Sequence, residues 1–137
     1  MFLYALLLFF LITSTHAEPA DNATAYTSIA QQWGIRPLGI WLSAGDNMLD
    51  FRYRVIDAEK AAPLFTRQIK PYMLDQASGA KFFVPETPTV GALRQTRKPY
   101  PDKNYFIIFG NPAKYVKRGG KVTVVIGDLQ VMDLVVQ

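Results

Sequence analysis

The chain has 137 residues, 50% of them hydrophobic and 19% charged, with a net charge of +4 and no cysteine. That is enough chain for one domain. It excludes a disulfide framework, an iron–sulfur site and thiol chemistry, and its many bulky apolar residues argue against a disordered polymer.

The chain opens with an apolar run, Phe2 to Ile12, followed by Thr13, Ser14, Thr15, His16 and Ala17. The run is far shorter than the roughly 20 residues a membrane-crossing helix needs. It has the length of a secretory signal core, with small residues, Thr15 and Ala17, at the −3 and −1 positions before Glu18. No Lys or Arg precedes it. Residues 1–17 are therefore predicted to be a cleaved signal peptide, and the protein to be exported, periplasmic or secreted. No cysteine follows the run, so a lipid anchor is excluded, and no integral membrane protein is expected. The only histidine, His16, leaves with the signal, while every charged side chain stays in the mature chain, Glu18–Gln137.

Residues 18–32 read as a polar leader with one weak helical turn over Tyr26–Gln32. Residues 33–137 read as the folded domain. Ile35–Ser43 and Met48–Asp57 form a predicted hairpin about the turn cluster Ala44-Gly45-Asp46-Asn47. The second arm alternates cleanly: Leu49, Phe51, Tyr53 and Val55 on one face, Asp50, Arg52 and Arg54 on the other. Ala58–Phe65 suits one or two helical turns, limited by Pro63. Ile69–Asp75 and Ala80–Val84 are predicted strands, with Pro71 relegating the first to an edge or a bulge. Thr89–Thr96 is a further predicted strand, and Arg97–Asn104 a loop. Tyr105–Phe109, an unbroken apolar run, is predicted as a buried central strand. Lys117–Gly120 turns into Lys121–Ile126, and Gly127-Asp128 turns into the closing strand Leu129–Val136.

Seven or eight strands at such spacing, with little helical periodicity, indicate an all-β fold: a single antiparallel β-sandwich, immunoglobulin-like, behind the signal peptide. Its expected core comprises Leu42, Leu49, Phe51, Tyr53, Val55, Leu74, Phe106, Ile108, Val122, Val124, Ile126 and Leu134. Trp41 is expected in the core as well, and Trp33 to staple the leader to the domain.

Three segments, MLDFRYRVIDAEKA at 48–61, PYMLDQASGAKFFVP at 71–85 and YVKRGGKVTVVIGD at 115–128, together resemble a group of small, exported, uncharacterised bacterial proteins. The last also resembles the penultimate-strand turn of bacterial immunoglobulin-like modules. The resemblance spans roughly residues 33–137 and implies the sandwich and the export. It implies no activity.

With neither His nor Cys in the mature chain, Ser–His and Cys–His nucleophilic systems are excluded, as are ordinary zinc, haem and blue-copper sites. No phosphate-binding glycine loop is present, and no cofactor is implied. Two minor alternatives to a binding protein stand. One is a copper- or metal-handling periplasmic protein that gathers the thioethers of Met48, Met73 and Met132. The other is a small enzyme running on carboxylates, most of which sit at predicted turns.

Charge is distributed unevenly. Residues 94–121 hold Arg94, Arg97, Lys98, Lys103, Lys114, Lys117, Arg118 and Lys121 against Asp102 alone, with Tyr100 and Tyr115 among them. If loop 94–104 and turn 114–121 share one end of the sandwich, they make a basic, partly aromatic patch that attracts anions. The leading expectation is a non-catalytic exported binding or interaction module. Its basic end would face an envelope protein or an anionic glycan or lipid surface, not nucleic acid.

Overall fold

The computed structural model describes residues 20–137, so the predicted signal peptide lies outside the described residues. Helix α1 runs over Ala20–Trp33, and β1 (Ile35–Ser43) and β2 (Met48–Val55) follow as an antiparallel hairpin. Next come a short helix α2 (Ala58–Ala61), a 3-10 turn at Ala62–Phe65, then β3 (Tyr72–Asp75) and β4 (Lys81–Phe83). A small hairpin, β5 (Glu86–Thr87) and β6 (Gly91–Ala92), precedes β7 (Lys103–Gly110). The chain closes with β8 (Lys121–Ile126) and β9 (Leu129–Val135).

The structure is mostly β, in antiparallel sheets. Apart from the two-stranded β5-β6 hairpin, one sheet has the order β1-β2-β7 and the other β4-β3-β8-β9. A single buried cluster draws on both: Ile40, Leu49, Phe51, Val55, Ile107 and Phe109 from the first, Met73, Val122, Val124, Ile126, Val131 and Leu134 from the second. The alternation legible in β2 puts Leu49, Phe51, Tyr53 and Val55 inward, each at most 2% exposed. The two sheets are stitched along one side. Ile40 bridges Val136 in parallel, Leu42 N–H donates to the Gln137 carbonyl, and Gln137 N–H donates to the Ile40 carbonyl.

Several expectations need correction. The leader is not one weak turn but a 14-residue helix. Its stripe Tyr26, Ile29, Ala30 and Trp33 recurs at helical spacing, and Ile29 enters the core with Tyr26 and Trp33 packed against it. The helix stops at Gly34, whose φ of +66° suits glycine, and a Cβ there would come 2.4 Å from the Asp57 carbonyl oxygen. Strand β3 is an interior strand, between β4 and β8, because Pro71 falls just before its first ladder residue. Thr89–Thr96 holds only the two residues of β6 and an isolated bridge between Arg94 and Ile107.

β7 is the outer strand of its sheet, and its phase is opposite to the expected one. Ile107 and Phe109 are buried, whereas Phe106 is 39% exposed and Ile108 is half-buried. A continuous apolar run carries no alternation, so nothing local selects its inner face. Leu74 is likewise half-buried while Met73 faces the core, and Leu42 packs at the core margin. Trp41, cross-strand from Asp50, stands on the outward face of β1.

One buried polar residue ties the loops. Asn111 is 1% exposed. Its side-chain amide donates to the carbonyls of Asp46 and Val116 at 2.9 and 3.0 Å, and its Oδ1 accepts from Val116 N–H at 2.9 Å. It thereby joins the β1–β2 turn to the segment between β7 and β8. Removing it leaves buried backbone groups unpaired, each costing about 1–3 kcal/mol. Asn111→Ala is expected to lower stability by about 3 kcal/mol, read from the denaturant midpoint. A midpoint shift equivalent to less than about 1 kcal/mol would show the clasp to be dispensable.

Candidate functional site

The basic residues singled out in the sequence do not form one end. Lys103, first residue of β7, pairs with Val55, and Gly110, its last, pairs with Met48. Loop 97–102 therefore enters β7 at one end, and segment 111–120 leaves it from the other. Eight extended residues separate them by roughly 23 Å. At the first end Arg97, Lys98 and Lys103 are exposed, and the Lys103 ammonium lies 5.1 Å from the ring centroid of Tyr100. At the other, Lys114, Lys117, Arg118 and Lys121 are exposed, and Tyr115 leans on Phe82 with ring centroids 5.7 Å apart.

Arg94 belongs to neither group. The Leu93–Gln95 stretch lies along the outer edge of β7: Ile108 N–H donates to the Leu93 carbonyl, and Phe106 N–H to the Gln95 side chain. From there the half-buried Arg94 guanidinium reaches across to the crossover between β2 and β3. It donates to the carbonyls of Leu64 and Thr66 at 2.9 and 3.2 Å and of Ile69 at 3.3 Å. Local sequence makes those acceptors available. Pro63 stands in the first positions of the 3-10 turn, which ends at Phe65, and the last carbonyls of a helical turn, here that of Leu64, lack partners within it. No carboxylate among the described residues lies within ion-pair distance of Arg94. Burial pulls its guanidinium below the ordinary value, and the neighbouring Tyr53 opposes that shift. Tyr53 itself, 2% exposed, is pushed well above the usual phenol range, chiefly by burial.

Arg94 lines a cleft of about 470 Å³ between segment 67–71 and the β5–β6 hairpin. Ile69, Pro71, Phe83, Val84 and Val90 supply apolar walls, and Arg67 and Lys70 add two further cations. Glu86 is the one acid lining it, and it is taken by Lys70 at 3.1 Å. Phe83 and Val90 stand 64% and 74% exposed on its rim. The cleft thus offers an apolar bed beside an excess of positive charge. Sequence reading missed Arg67 and Lys70. They lie on an irregular segment, and only the crossing of that segment past residues 91–94 puts them beside Arg94.

The methionines occupy three layers. Met73 has no exposure and pairs with the inward Val124; Met48 is on the outward side of β2, and Met132, 54% exposed, is on the outward side of β9. The structure does not bring their sulfurs together. Among the described residues no cluster of three or more carboxylates is placed to hold a metal ion. No helix among them is long and apolar enough to cross a membrane.

No family model, no curated protein and no solved structure matches the chain.

Two outcomes follow from the surroundings of Arg94. Arg94→Met leaves three carbonyls without their donor and is expected to destabilise the protein by about 1–3 kcal/mol, measured by thermal and denaturant unfolding. Tyr53 is protonated in the folded state beyond the pH at which an unfolded tyrosine ionises. Its contribution is therefore complete below about pH 10 and is lost as pH rises toward the elevated folded value. Tyr53→Phe should flatten the fall in stability above that pH while changing stability at neutral pH by less than about 1.5 kcal/mol. An unchanged alkaline slope would overturn the assignment.

Proposed function

We propose that the protein is a non-catalytic exported binding module that holds a small amphipathic acid in the cleft beside Arg94. Its domain is read as an immunoglobulin-like β-sandwich. Two antiparallel sheets that share one buried cluster support that reading, as does the resemblance of the segments at 48–61, 71–85 and 115–128 to small exported bacterial proteins. The signal-like first 17 residues support export. The lack of His and Cys in the mature chain supports a role without catalysis.

A single observation carries the choice of ligand. Arg94 is a half-buried cation with only carbonyl partners, on the wall of an apolar cleft that also holds Arg67 and Lys70. A cleft of several hundred cubic ångströms suits a small molecule. A carboxylate or phosphate head supplies the missing counter-charge through charge-assisted hydrogen bonds. An apolar body covers Phe83, Val84 and Val90. Envelope acids with an acyl or similar apolar portion have this chemistry.

The test is calorimetric titration of the protein with three twelve-carbon probes: dodecanoate, dodecanol and dodecyltrimethylammonium. Dodecanoate should bind, and the cationic probe should not. Arg67→Gln with Lys70→Gln removes two exposed cations without touching the Arg94 ties. It should weaken dodecanoate at least tenfold, since a hydrogen bond to a charged group contributes about 1.5–3 kcal/mol. Lys117→Gln with Arg118→Gln, at the far end of β7, should leave it unchanged. Equal affinity for the anionic and cationic probes, or no binding of dodecanoate, would overturn the reading.

A further inference from the structure

The outward face of the β1-β2-β7 sheet carries a separate constellation, arranged in cross-strand rows. Arg36, Arg54 and Asn104 form the first row, Gly39, Arg52 and Phe106 the second, and Trp41, Asp50 and Ile108 the third. Two-residue steps along β2 separate the arginine row from the tryptophan row by roughly 13 Å.

Trp41 is laid down on the sheet. Its six-membered ring rests on Gly39, where a Cβ would come within 2.8 Å of Cη2. Glycine at that position is what lets the indole lie flat as a platform rather than project. Phe106 adds exposed aromatic surface in the adjacent row.

The charges of this face are poorly compensated. Arg36 and Arg54 are direct cross-strand partners, an arrangement in which like charges repel. Arg54 donates to Asn104 at 3.2 Å, and its nearest carboxylate, the 80% exposed Asp102, is 3.9 Å away. No described carboxylate lies within ion-pair distance of Arg36. An anionic group set between the two guanidinia relieves that repulsion, and arginine suits carboxylates and phosphates alike. Asp50 decides between them. Its Oδ2 accepts from Arg52 at 2.8 and 3.0 Å, while its Oδ1 is buried with no hydrogen-bond partner. What separates the two is hydrogen bonding rather than charge: the Asp50 carboxylate, already neutralised by Arg52, is an acceptor beside the Trp41 platform for hydroxyl donors, which a sugar polymer carries and a phosphate polymer lacks.

We infer that this face binds an acidic polysaccharide. A sugar ring lies with its C–H face on Trp41 near Asp50, and a carboxylate further along the same chain sits between Arg36 and Arg54. The span excludes a single small sugar and calls for a polymer. This site is independent of the cleft beside Arg94, on the other side of β7's ladder from the core.

The experiment uses the full protein and polygalacturonate, with dextran as the neutral polymer and polyphosphate as the polymer of charge without sugar, all at one low salt concentration. Binding is followed by intrinsic tryptophan fluorescence and, independently, by affinity electrophoresis. Polygalacturonate is expected to shift the emission of the unmodified protein and to retard it, and dextran to do neither. Arg36→Gln with Arg54→Gln is expected to bind at least tenfold more weakly while melting at the same or a higher temperature, since a repulsive pair is gone. Trp41→Phe, which keeps an aromatic ring on Gly39 but reduces the platform, is expected to weaken binding several-fold. Arg67→Gln with Lys70→Gln is expected to leave polygalacturonate binding unchanged; loss there would overturn the placement. Undiminished binding by a folded Trp41→Phe variant, or polyphosphate binding as tight as polygalacturonate, would reduce the face to a generic cation patch and overturn the inference. So would the absence of polygalacturonate binding.

Discussion

The inner faces of two antiparallel sheets must bury one another, because the chain has no cysteine to tie them covalently. Everything else is arranged around that contact. β2 lies between β1 and β7, and its inward residues are almost completely buried. The last residues of the chain then close one side by pairing with β1, so the two sheets share hydrogen bonds as well as apolar surface. Helix α1 packs over the same seam, against β1 and β9.

A chain that builds two sheets has to cross between them, and the crossings carry the polar chemistry. The segment from β2 to β3 holds the 3-10 turn with its open carbonyls. The segment from β4 to β7 returns past it and brings Arg94. Crossing backbone without ladder partners still needs hydrogen bonds where it is buried. Arg94 and Asn111 meet that need at two places, one with a charged side chain and one with a neutral one. Asn111 satisfies its neighbours completely and stays inside. Arg94 also brings a charge that its carbonyl partners do not cancel, and that residual charge adds to those of Arg67 and Lys70 along the adjacent cleft.

Charge along the sequence and charge in space part company at β7. The basic residues of positions 94–121 look like one patch because they are close in the chain. An extended strand is the least compact way to separate two segments, and here it stands between them. At physiological ionic strength the Debye length is about 8 Å, so two groups roughly 23 Å apart do not add their fields. The outward sheet face works the opposite way. Arg36 and Arg54 are eighteen positions apart in sequence and adjacent in register.

The sequence by itself determined what depends on neighbours one to four residues away. The period-two pattern of Met48–Val55, the turn at Ala44–Asn47, the Gly119-Gly120 and Gly127-Asp128 turns and the closing strands β8 and β9 were all legible, because alternation and turn chemistry are local. The helix over Ala20–Trp33 was read only as one weak turn over Tyr26–Gln32, because the polar residues around Tyr26, Ile29, Ala30 and Trp33 obscured their helical spacing. Only the tertiary structure decided the inner face of β7, since Tyr105–Phe109 is apolar on both sides and packing alone breaks the tie. It also placed β3 in the interior, turned Trp41 outward onto Gly39, separated the two basic segments and set Arg67 and Lys70 beside Arg94. Each of these is a relation between strands or crossings distant in sequence, and the physical terms that settle them, burial of one face and pairing of backbone across the fold, do not exist until the sheets have met.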